Sequence, residues 1–292
     1  MNPIEELYFR VSIWMLARSH PKDLEQHART ENKPKYAEWR ASALRQHFDD
    51  YFQPGDVEGK RVVDFGCGGG QLCIHTAKIG AASIIGLDLY DRFEAIFRDS
   101  VAAEGLTDRV TFVRGEVDKA PLAAGSAEVV TCFGVMEHVM NYEAIVPEWR
   151  RILVPGGRVL IWWGLWYHPY GHHCYAMVRV PWAHVVLSDA ALLRICARVY
   201  DSPVFRPSFW DLDEQGQKNN RYRHETTLED TQNKLTTWRF DQVCRRSGFE
   251  IARKEFVPFT GQRLAWLKRV LVRLPYLADF FSACVVYELK AV

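Results

Sequence analysis

A glycine-rich segment contains the residues of this sequence best suited to hold a ligand. Glycines stand at positions 66, 68, 69 and 70, after Asp64 and the apolar residues before it. Glycine has no Cβ, so its backbone can pass close beneath a bound molecule. A helix is predicted to begin directly after this segment, and the free N–H groups of its first turn attract an anion. The segment therefore predicts a site for a ligand with an anionic group.

Short apolar segments alternate with helical ones around this turn. Strands are predicted at 61–65, 83–87, 110–113, 128–133, 158–163, 249–257 and near 283–289. Helices are predicted at 36–52, 71–79, 92–104, 142–153 and 235–247. Near-continuous apolar strands separated by helices are typical of a parallel sheet covered on both faces.

The alternation divides the chain into four predicted regions. Residues 1–58 form a helical lid and residues 59–164 the ligand-binding core. Residues 165–233 are rich in His, Pro, Tyr and Asn, and a long irregular insertion of this kind is usually functional. Residues 234–292 complete the core sheet. We expect the first and third regions to form a cap that selects the substrate.

A nicotinamide-binding enzyme uses the same strand–turn–helix architecture. Its G-x-G-x-x-G spacing would require glycine at position 71 if it began at Gly66, and that residue is Gln71. The segment Asp64–Gly70 instead resembles the first motif of class I S-adenosylmethionine-dependent methyltransferases. The resemblance continues in order along residues 60–163, through the motifs GLD (86–88), RGEV (114–117), APL (120–122), EHV (137–139) and EWRRILVPGG (148–157).

This resemblance implies a Rossmann-like α/β fold, with a seven-stranded, mostly parallel sheet, an antiparallel last strand and helices on both faces. It also implies S-adenosyl-L-methionine as the cofactor. Asp88 would bind the two ribose hydroxyls and Glu116, in place of the commoner Asp, the adenine amino group. The predicted cofactor-binding residues are Asp64, Gly66, Cys67, Gly68, Asp88, Leu89, Glu116, Val117 and Phe133, with Tyr36 as a lid residue. Phe133 is equally compatible with the core.

Methyl transfer to a hydroxyl also needs a base that titrates near the working pH. The candidates follow strands four and five, at the edge where open α/β sheets bind ligands. The predicted catalytic residues are Glu137, His138, His168 and His172, and His173 belongs to the same histidine group. We expect a small-molecule acceptor, with O-methylation ahead of C- or N-methylation.

Other uses of these residues stay open. In the quinone O-methyltransferases, which the Glu-His-Val segment resembles, a further acid helps to hold a divalent ion. Gly134 stands at that position here, so we expect no metal. Trp162, Trp163, Trp166, Tyr170 and Trp210 could stabilise a cation in C-methylation of an isoprenoid or other alkene, with Glu137 or Asp211 as base, although ordinary core packing explains them too. A non-catalytic regulatory protein that binds the cofactor is the third alternative.

Composition limits the partners and the location. A formal net charge of +1 argues against a nucleic-acid substrate, which favours a basic surface. The seven cysteines show no paired spacing, and Glu5 and Glu6 before the first apolar stretch do not fit a signal peptide, so we expect a cytoplasmic protein. The basic stretch 263–274 is expected to pack on protein rather than on a membrane surface. A small basic group around Arg221, Arg223 and His224 could bind an anionic acceptor, and a homodimer is left open.

Overall fold

The computed structural model describes residues 2–18, 25, 27–224, 228, 232–259, 270–274 and 277–292. Its strands are β1 (Arg61–Phe65), β2 (Ser83–Asp88), β3 (Val110–Arg114), β4 (Ala127–Phe133), β5 (Leu153–Gly164), β6 (Phe249–Pro258) and β7 (Ser282–Ala291). Its helices are α1 (Pro3–Leu16), α2 (Lys33–Tyr51), α3 (Gln71–Lys78), α4 (Arg92–Ala103), α5 (Tyr142–Ile152), α6 (Ala183–Val186), α7 (Asp189–Tyr200), α8 (Thr237–Arg246) and α9 (Ala278–Phe281).

The strands form one sheet in the order β3-β2-β1-β4-β5-β7-β6. Strands β1 to β5 pair in parallel, and β7 lies antiparallel between β5 and β6. The chain runs outward from β1 to β3 and then returns to place β4 on the other side of β1. Such a reversal opens a crevice at the carboxyl ends of β1 and β4. The predicted fold class is confirmed.

Side-chain alternation along the strands covers both faces of the sheet. Val62 and Val129 pack in a cluster with residues of α2, α3 and α4, whereas the next residues, Val63 and Val130, pack with residues of α5 and α8. This alternation is the two-residue period of a strand. Because both faces are covered by helices, the crevice at the carboxyl edge is the part of the sheet that remains accessible to a ligand.

The cap is built from the insertion and from α1, with its own apolar cluster. Tyr8, Phe9, Ile13 and Leu16 of α1 pack against a buried cluster of residues between 166 and 228 that includes much of α7. Two ion pairs join the same helices, Glu5 with Arg194 at 2.6 Å and Glu6 with Arg198 at 2.7 Å.

The second helix of the predicted lid, α2, packs against the sheet, whereas α1 packs in the cap. Leu44, Phe48 and Phe52, from α2 and the residue after it, are buried in the cluster on one face of the sheet. Residues 1–58 therefore do not form one lid. Their apolar residues divide between the cap and the core, because α2 presents a stripe with i, i+4, i+8 spacing to the sheet.

Two further details differ from the sequence expectations. Residues 154–157, which fall between a predicted helix and a predicted strand, lie inside β5, where the pairing with β4 shifts between the partners Ala127–Leu153 and Val129–Arg158. The residues between Leu153 and Arg158 outnumber those between Ala127 and Val129, so they interrupt the regular pairing while β5 continues. Residues 260–269, which include most of the predicted basic stretch, lie outside the described residues. In the described part of the chain, no helix has the length and apolar character needed to cross a membrane.

Alanine at position 86 tests the close packing between β2 and α4. A Cβ on Gly86 would overlap with Phe97 Cε2 and lie 2.9 Å from Cys67 Sγ. We expect Gly86→Ala to lower the free energy of unfolding by about 1–3 kcal/mol, because overpacking forces buried neighbours to move. Urea denaturation measures the change. Gly55→Ala is the matched control, because no atom lies within 4 Å of its added Cβ. Equal changes in the two variants would contradict the packing argument.

Candidate functional site

The turn after β1 brings three chain segments together at the carboxyl edge of the sheet. Gly66 and Cys67 donate backbone hydrogen bonds to Leu87 O, at 2.8 and 3.1 Å, which ties the turn to the end of β2. Gly66 has φ +77°, and a Cβ there would lie 2.5 Å from a methyl group of Val135. Glycine is therefore required by the backbone conformation and by the segment that follows β4.

Asp88 lies beside this turn at the end of β2. Its Oδ2 accepts a hydrogen bond from Gly68 N at 2.9 Å, and its Oδ1 accepts one from Tyr90 N at 3.1 Å. The side chain is buried. A carboxylate oxygen can accept two hydrogen bonds, so each oxygen keeps capacity for a further donor. Asp88 thus combines loop support with the ability to bind a pair of hydroxyls.

Asp64 is buried beneath the turn. Its Oδ1 accepts a hydrogen bond from Thr131 Oγ1 at 2.7 Å, and its Oδ2 accepts one from Cys73 Sγ at 3.3 Å. Burial raises the pKa of the Asp64 carboxyl to about 6, although the hydrogen bond from Thr131 acts in the opposite direction. These contacts connect β1, α3 and β4, so the structure supports a role for Asp64 in fixing the turn.

A cavity of about 60 Å³ opens between this turn and α2. Five predicted residues line it with four others: Asp64, Gly66, Cys67, Gly68, Phe133, Arg40, Leu44, Gln71 and Leu72. Phe133 also contacts the rings of Phe48 and Phe52, so it belongs to both the core and the cavity. No atom lies within 4 Å of the position that a Cβ of Gly68 would occupy. The space above Gly68 is therefore open.

Arg40 is a site residue that our sequence reasoning missed. It lines the cavity, and its Nη2 lies 3.1 Å from where a Cβ of Gly134 would stand. Its charge also favours the ionised forms of Asp64 and Glu137. The available signal was its position four residues after Tyr36 and four before Leu44 on one helix, a spacing that places the three side chains along one side.

Leu89, Glu116 and Val117 lie along the open edge beyond Asp88. Leu89 and Val117 are exposed, and Glu116 is also exposed, with its backbone N–H donating to Lys119 O at 3.0 Å. They follow the paired strands β2 and β3. Exposed apolar side chains near an acid suit a flat ligand with a polar edge.

Tyr36 lies in a second, larger cavity rather than in the small one. Its ring contacts those of Trp39, Phe209 and Trp210, with centroids 5.4–5.8 Å apart. The cavity has a volume of about 840 Å³ and is lined by residues of α1, α2 and the insertion. A direct contact between Tyr36 and the ligand at the glycine turn is therefore not supported.

Glu137, His138 and His173 form a cluster of titratable side chains, one member of which lines the larger cavity. Their potential ligand atoms all lie within 4.8 Å of one another, and the rings of His138 and His173 have centroids 4.9 Å apart. His173 lines the larger cavity. Although it is open to this cavity, the surrounding protein and the charges of His138 and Arg221 lower the pKa of His173 to about 4. His173 is therefore neutral at pH 7.

The carboxyl of Glu137 is largely enclosed. Its Oε2 accepts no hydrogen bond from the described residues. Burial raises the pKa of Glu137, while His138 and Arg40 oppose this change. The cluster can move a proton, and three such side chains are also a suitable set for a divalent ion. The expectation of no metal relied on Gly134, and His173 now supplies a third potential ligand.

The other predicted histidines are not members of this cluster. His172 is fully buried, and neither ring nitrogen has a hydrogen-bond partner among the described residues. Its ring lies 4.6 Å from that of His184. His168 accepts a hydrogen bond from Tyr170 N at 3.2 Å and contacts the Phe259 ring. Neither position supports contact with a substrate, so His173 is the residue of this group that the structure places at a cavity.

Most of the predicted aromatic cluster is core. Trp163 stacks on Tyr287 with centroids 5.3 Å apart, and Trp166 is buried in the cap cluster. Trp162 stacks on His47 at 4.0 Å. Trp210 lines the larger cavity. The carboxylate of Asp211, the alternative base for C-methylation, already accepts a hydrogen bond from Ser208 N at 2.9 Å. The aromatic faces expected for a cation are therefore not assembled around one cavity.

Comparisons with known proteins agree with this geometry. Residues 63–161 match the family model described as a methyltransferase domain. The chain is 38% identical over 105 residues to a ubiquinone biosynthesis O-methyltransferase of Neisseria meningitidis serogroup C, and 35% identical over 109 residues to one of Xanthomonas oryzae. Each match covers 36% of this chain and 44% of the relative. The chain thus spans less than half the length of these curated relatives.

Solved structures extend the likeness to the whole fold. A putative S-adenosylmethionine-dependent methyltransferase from Listeria monocytogenes superposes with a TM-score of 0.52 at 17% identity, covering 87% of this chain and 98% of that one. One from Mesorhizobium loti has a TM-score of 0.50 at 22% identity, with 85% and 96% covered. At these identities the likeness supports the fold alone.

The buried His172 predicts a pH-dependent stability. Burial, with the charges of His184, His173 and His168, lowers its pKa from 6.5 to about 3. Below pH 6.5 the unfolded chain binds a proton that the folded chain does not. The free energy of unfolding therefore decreases as the pH is lowered. Between pH 8 and pH 5 this one histidine should reduce the free energy of unfolding by about 2 kcal/mol.

His172→Leu should remove that part of the pH dependence. We expect the unfolding free energy of the variant, measured by urea denaturation, to fall less than that of the unchanged protein between pH 8 and pH 5. His224→Leu, which removes an exposed histidine, is the control. An identical pH dependence with and without His172 would show that the imidazole is not held neutral.

Proposed function

We propose that this chain, which carries a class I S-adenosylmethionine-dependent methyltransferase domain, transfers a methyl group from that cofactor to a small-molecule acceptor, with oxygen as the favoured acceptor atom. The domain match at residues 63–161 and the fold imply the cofactor. The O-methyltransferase names of the relatives favour oxygen. One observation carries the proposal: the Glu137 cluster is linked to both cavities. Arg40 lines the cofactor cavity, and its charge acts to lower the pKa of Glu137. His173, whose potential ligand atom lies within 4.8 Å of that of Glu137, lines the larger cavity.

The residues at the glycine turn fit S-adenosyl-L-methionine. The open space over Gly68, the two oxygens of Asp88 and the Arg40 guanidinium suit its amino acid and ribose parts. Leu89, Glu116 and Val117 would take its adenine at the open edge. When bound, the cofactor supplies an activated methyl group. The chain itself must orient the acceptor in line and exclude water.

His138 is our candidate for the general base. The neighbouring Glu137 carboxylate would stabilise the imidazolium that forms when His138 takes the acceptor proton, as a buried acid does beside a catalytic histidine. Neutral His173, with its ring 4.9 Å away, would hold the acceptor at the mouth of the larger cavity. The cap, made of α1 and residues 165–233, would select the acceptor.

Other expectations about this chain stay proposals. We expect no nucleic-acid partner and no stable membrane contact, and a homodimer is left open. All seven cysteines are buried, and the structure shows no disulfide bond between them, which suits a reducing compartment such as the cytoplasm. C-methylation of an alkene loses support because Trp163 and Trp166 are core residues. A regulatory protein without turnover would bind the cofactor product yet methylate nothing in an assay with labelled cofactor.

Asp88→Asn tests the cofactor site. The amide keeps the shape of the side chain and loses the charge, which weakens hydrogen bonds from two ribose hydroxyls. We expect S-adenosylhomocysteine to bind roughly 10- to 100-fold more weakly in calorimetric titration. Asp108→Asn, at an exposed acid just before β3 and thus toward the amino edge of the sheet, should bind it normally. Equal affinities for the two variants would place the ribose elsewhere.

His138→Gln tests the proposed base. We expect kcat with a phenolic acceptor to fall about 100-fold or more, which is the usual contribution of a general base, with S-adenosylhomocysteine affinity unchanged. His173→Gln should mainly raise KM. His224→Gln is the control.

Dialysis against EDTA separates the two uses of the cluster. If Glu137, His138 and His173 act on a proton, activity stays unchanged after dialysis. Loss of activity that added Mg²⁺ or Zn²⁺ restores would instead assign them to a metal and contradict the proposed base.

A further inference from the structure

The larger cavity has the size and position of an acceptor site. Its volume of about 840 Å³ lies within the range of roughly 300–1,000 Å³ that is usual for small-molecule sites. It lies between α2 and the cap, and it reaches His173, whose ring lies 4.9 Å from that of His138. A molecule held there can extend toward the Glu137–His138 pair.

Among the described residues, the walls of this cavity carry more positive than negative charge. The charged residues of this described lining are Arg29, Arg179, Arg206, Arg221, Glu25 and Asp211. Glu25 pairs with Arg29 at 3.5 Å, and Asp211 accepts a hydrogen bond from Ser208 N at 2.9 Å. Both acids thus have partners within the protein. Four arginines in a concave surface with two acids give a field that attracts an anion.

Arg206 and Arg221 differ in their surroundings. No described residue forms an ion pair or a hydrogen bond with the Arg206 side chain, which is exposed. Arg221 Nη2 donates to Tyr222 Oη at 3.0 Å, and its charge lowers the pKa of His173. Arg221 therefore lies near the cluster end of the cavity. Arg223, in the same short segment, does not line the cavity and pairs with Asp201 at 2.7 Å.

Aromatic rings make up much of the remaining wall. Tyr36, Trp39 and Trp210 form a contiguous group with centroids 5.4–5.6 Å apart around Tyr36. Trp210 is 44% exposed and Tyr175 is 40% exposed, although both lie in a concavity. Large apolar surfaces left uncovered inside a concavity are typical of a ligand-binding site.

We infer that the acceptor is an anionic molecule, with a carboxylate or a phosphate group, attached to a flat or extended apolar body. The arginines bind the anion, and the rings of Trp210, Tyr36 and Tyr175 cover the body. This inference rests on the proposed methyl transfer, because it treats the cavity as the acceptor site. It explains why positive charge is concentrated here in a chain whose formal net charge is only +1.

Matched acid and amide probes test the inference directly. The carboxylate pairs are 6-hydroxy-2-naphthoate, 4-hydroxycinnamate and 4-hydroxyphenyldecanoate, each against its primary amide. Naphthyl phosphate against naphthol forms the phosphate arm. We expect the anion to bind at least tenfold more tightly in one arm or both, with an affinity that falls as salt screens the arginines. The arm with the larger ratio identifies the anionic group. No preference for the anion in any pair overturns the inference.

Arg206→Gln locates the binding. We expect it to weaken binding of the preferred anion about fivefold or more, because a hydrogen bond to a charged group is lost, and to leave the neutral partner unchanged. Arg206→Lys keeps the charge and should recover part of the affinity. Arg223→Gln is the matched control outside the cavity. If Arg206→Gln, Arg206→Lys and Arg223→Gln all bind the anion as tightly as the unchanged protein does, the assignment of the anion site to this cavity is overturned.

The calorimeter also separates this inference from the proposed function. The same preparations are titrated with S-adenosylhomocysteine. Binding of the cofactor product without any preference for the anion leaves methyl transfer standing and overturns the acceptor class. Preference for the anion without binding of the cofactor product overturns the proposed function, because the cavity is then an anion site of another kind.

Discussion

At the carboxyl edge of the sheet, the turn after β1, the end of β2 and the segment after β4 lie so close to their neighbours that Gly66 and Gly86 have no room for a Cβ. Gly66 lies under Val135, and Gly86 lies against Phe97 and Cys67. The Asp88 carboxylate completes the contact by accepting the Gly68 N–H. Every later feature of the site depends on this packing, because it sets the distance between the cofactor turn and the segment after β4 that carries Glu137 and His138.

Helix α2 links the two cavities by its periodicity. Arg40 and Leu44 line the small cavity, while Tyr36 and Trp39 line the large one. Phe48, one turn further on, is fully buried against the sheet. One rigid helix thus anchors in the core and contributes walls to both cavities. A shift of α2 would change the two sites together, which suits a reaction that must bring two molecules into line.

The surrounding protein shifts the pKa values of titratable groups at the two cavities. Loss of solvation raises the pKa of Asp64 to about 6 and raises that of Glu137, and it lowers the pKa of His173 to about 4. These positions therefore favour the neutral forms. The Glu137 carboxyl, whose pKa is raised by burial against the opposing effect of His138, is suited to proton movement beside histidines, because small changes in its surroundings alter which group holds the proton.

Much of the core was determined by the sequence alone. The glycine spacing, Gln71 and Asp88 predicted the cofactor turn, and the two-residue alternation predicted the sheet, because both depend on local backbone geometry and short-range periodicity.

Only the tertiary structure decided the rest. The adjacent histidines His172 and His173 have identical chemistry and separate only on folding, one into the core and one into a cavity. Arg40 lies far along the chain from Arg206 and Arg221, and a local pattern carries no information on which segments border one cavity. The division of residues 1–58 between cap and core has the same cause, since α1 and α2 find their apolar partners in different clusters.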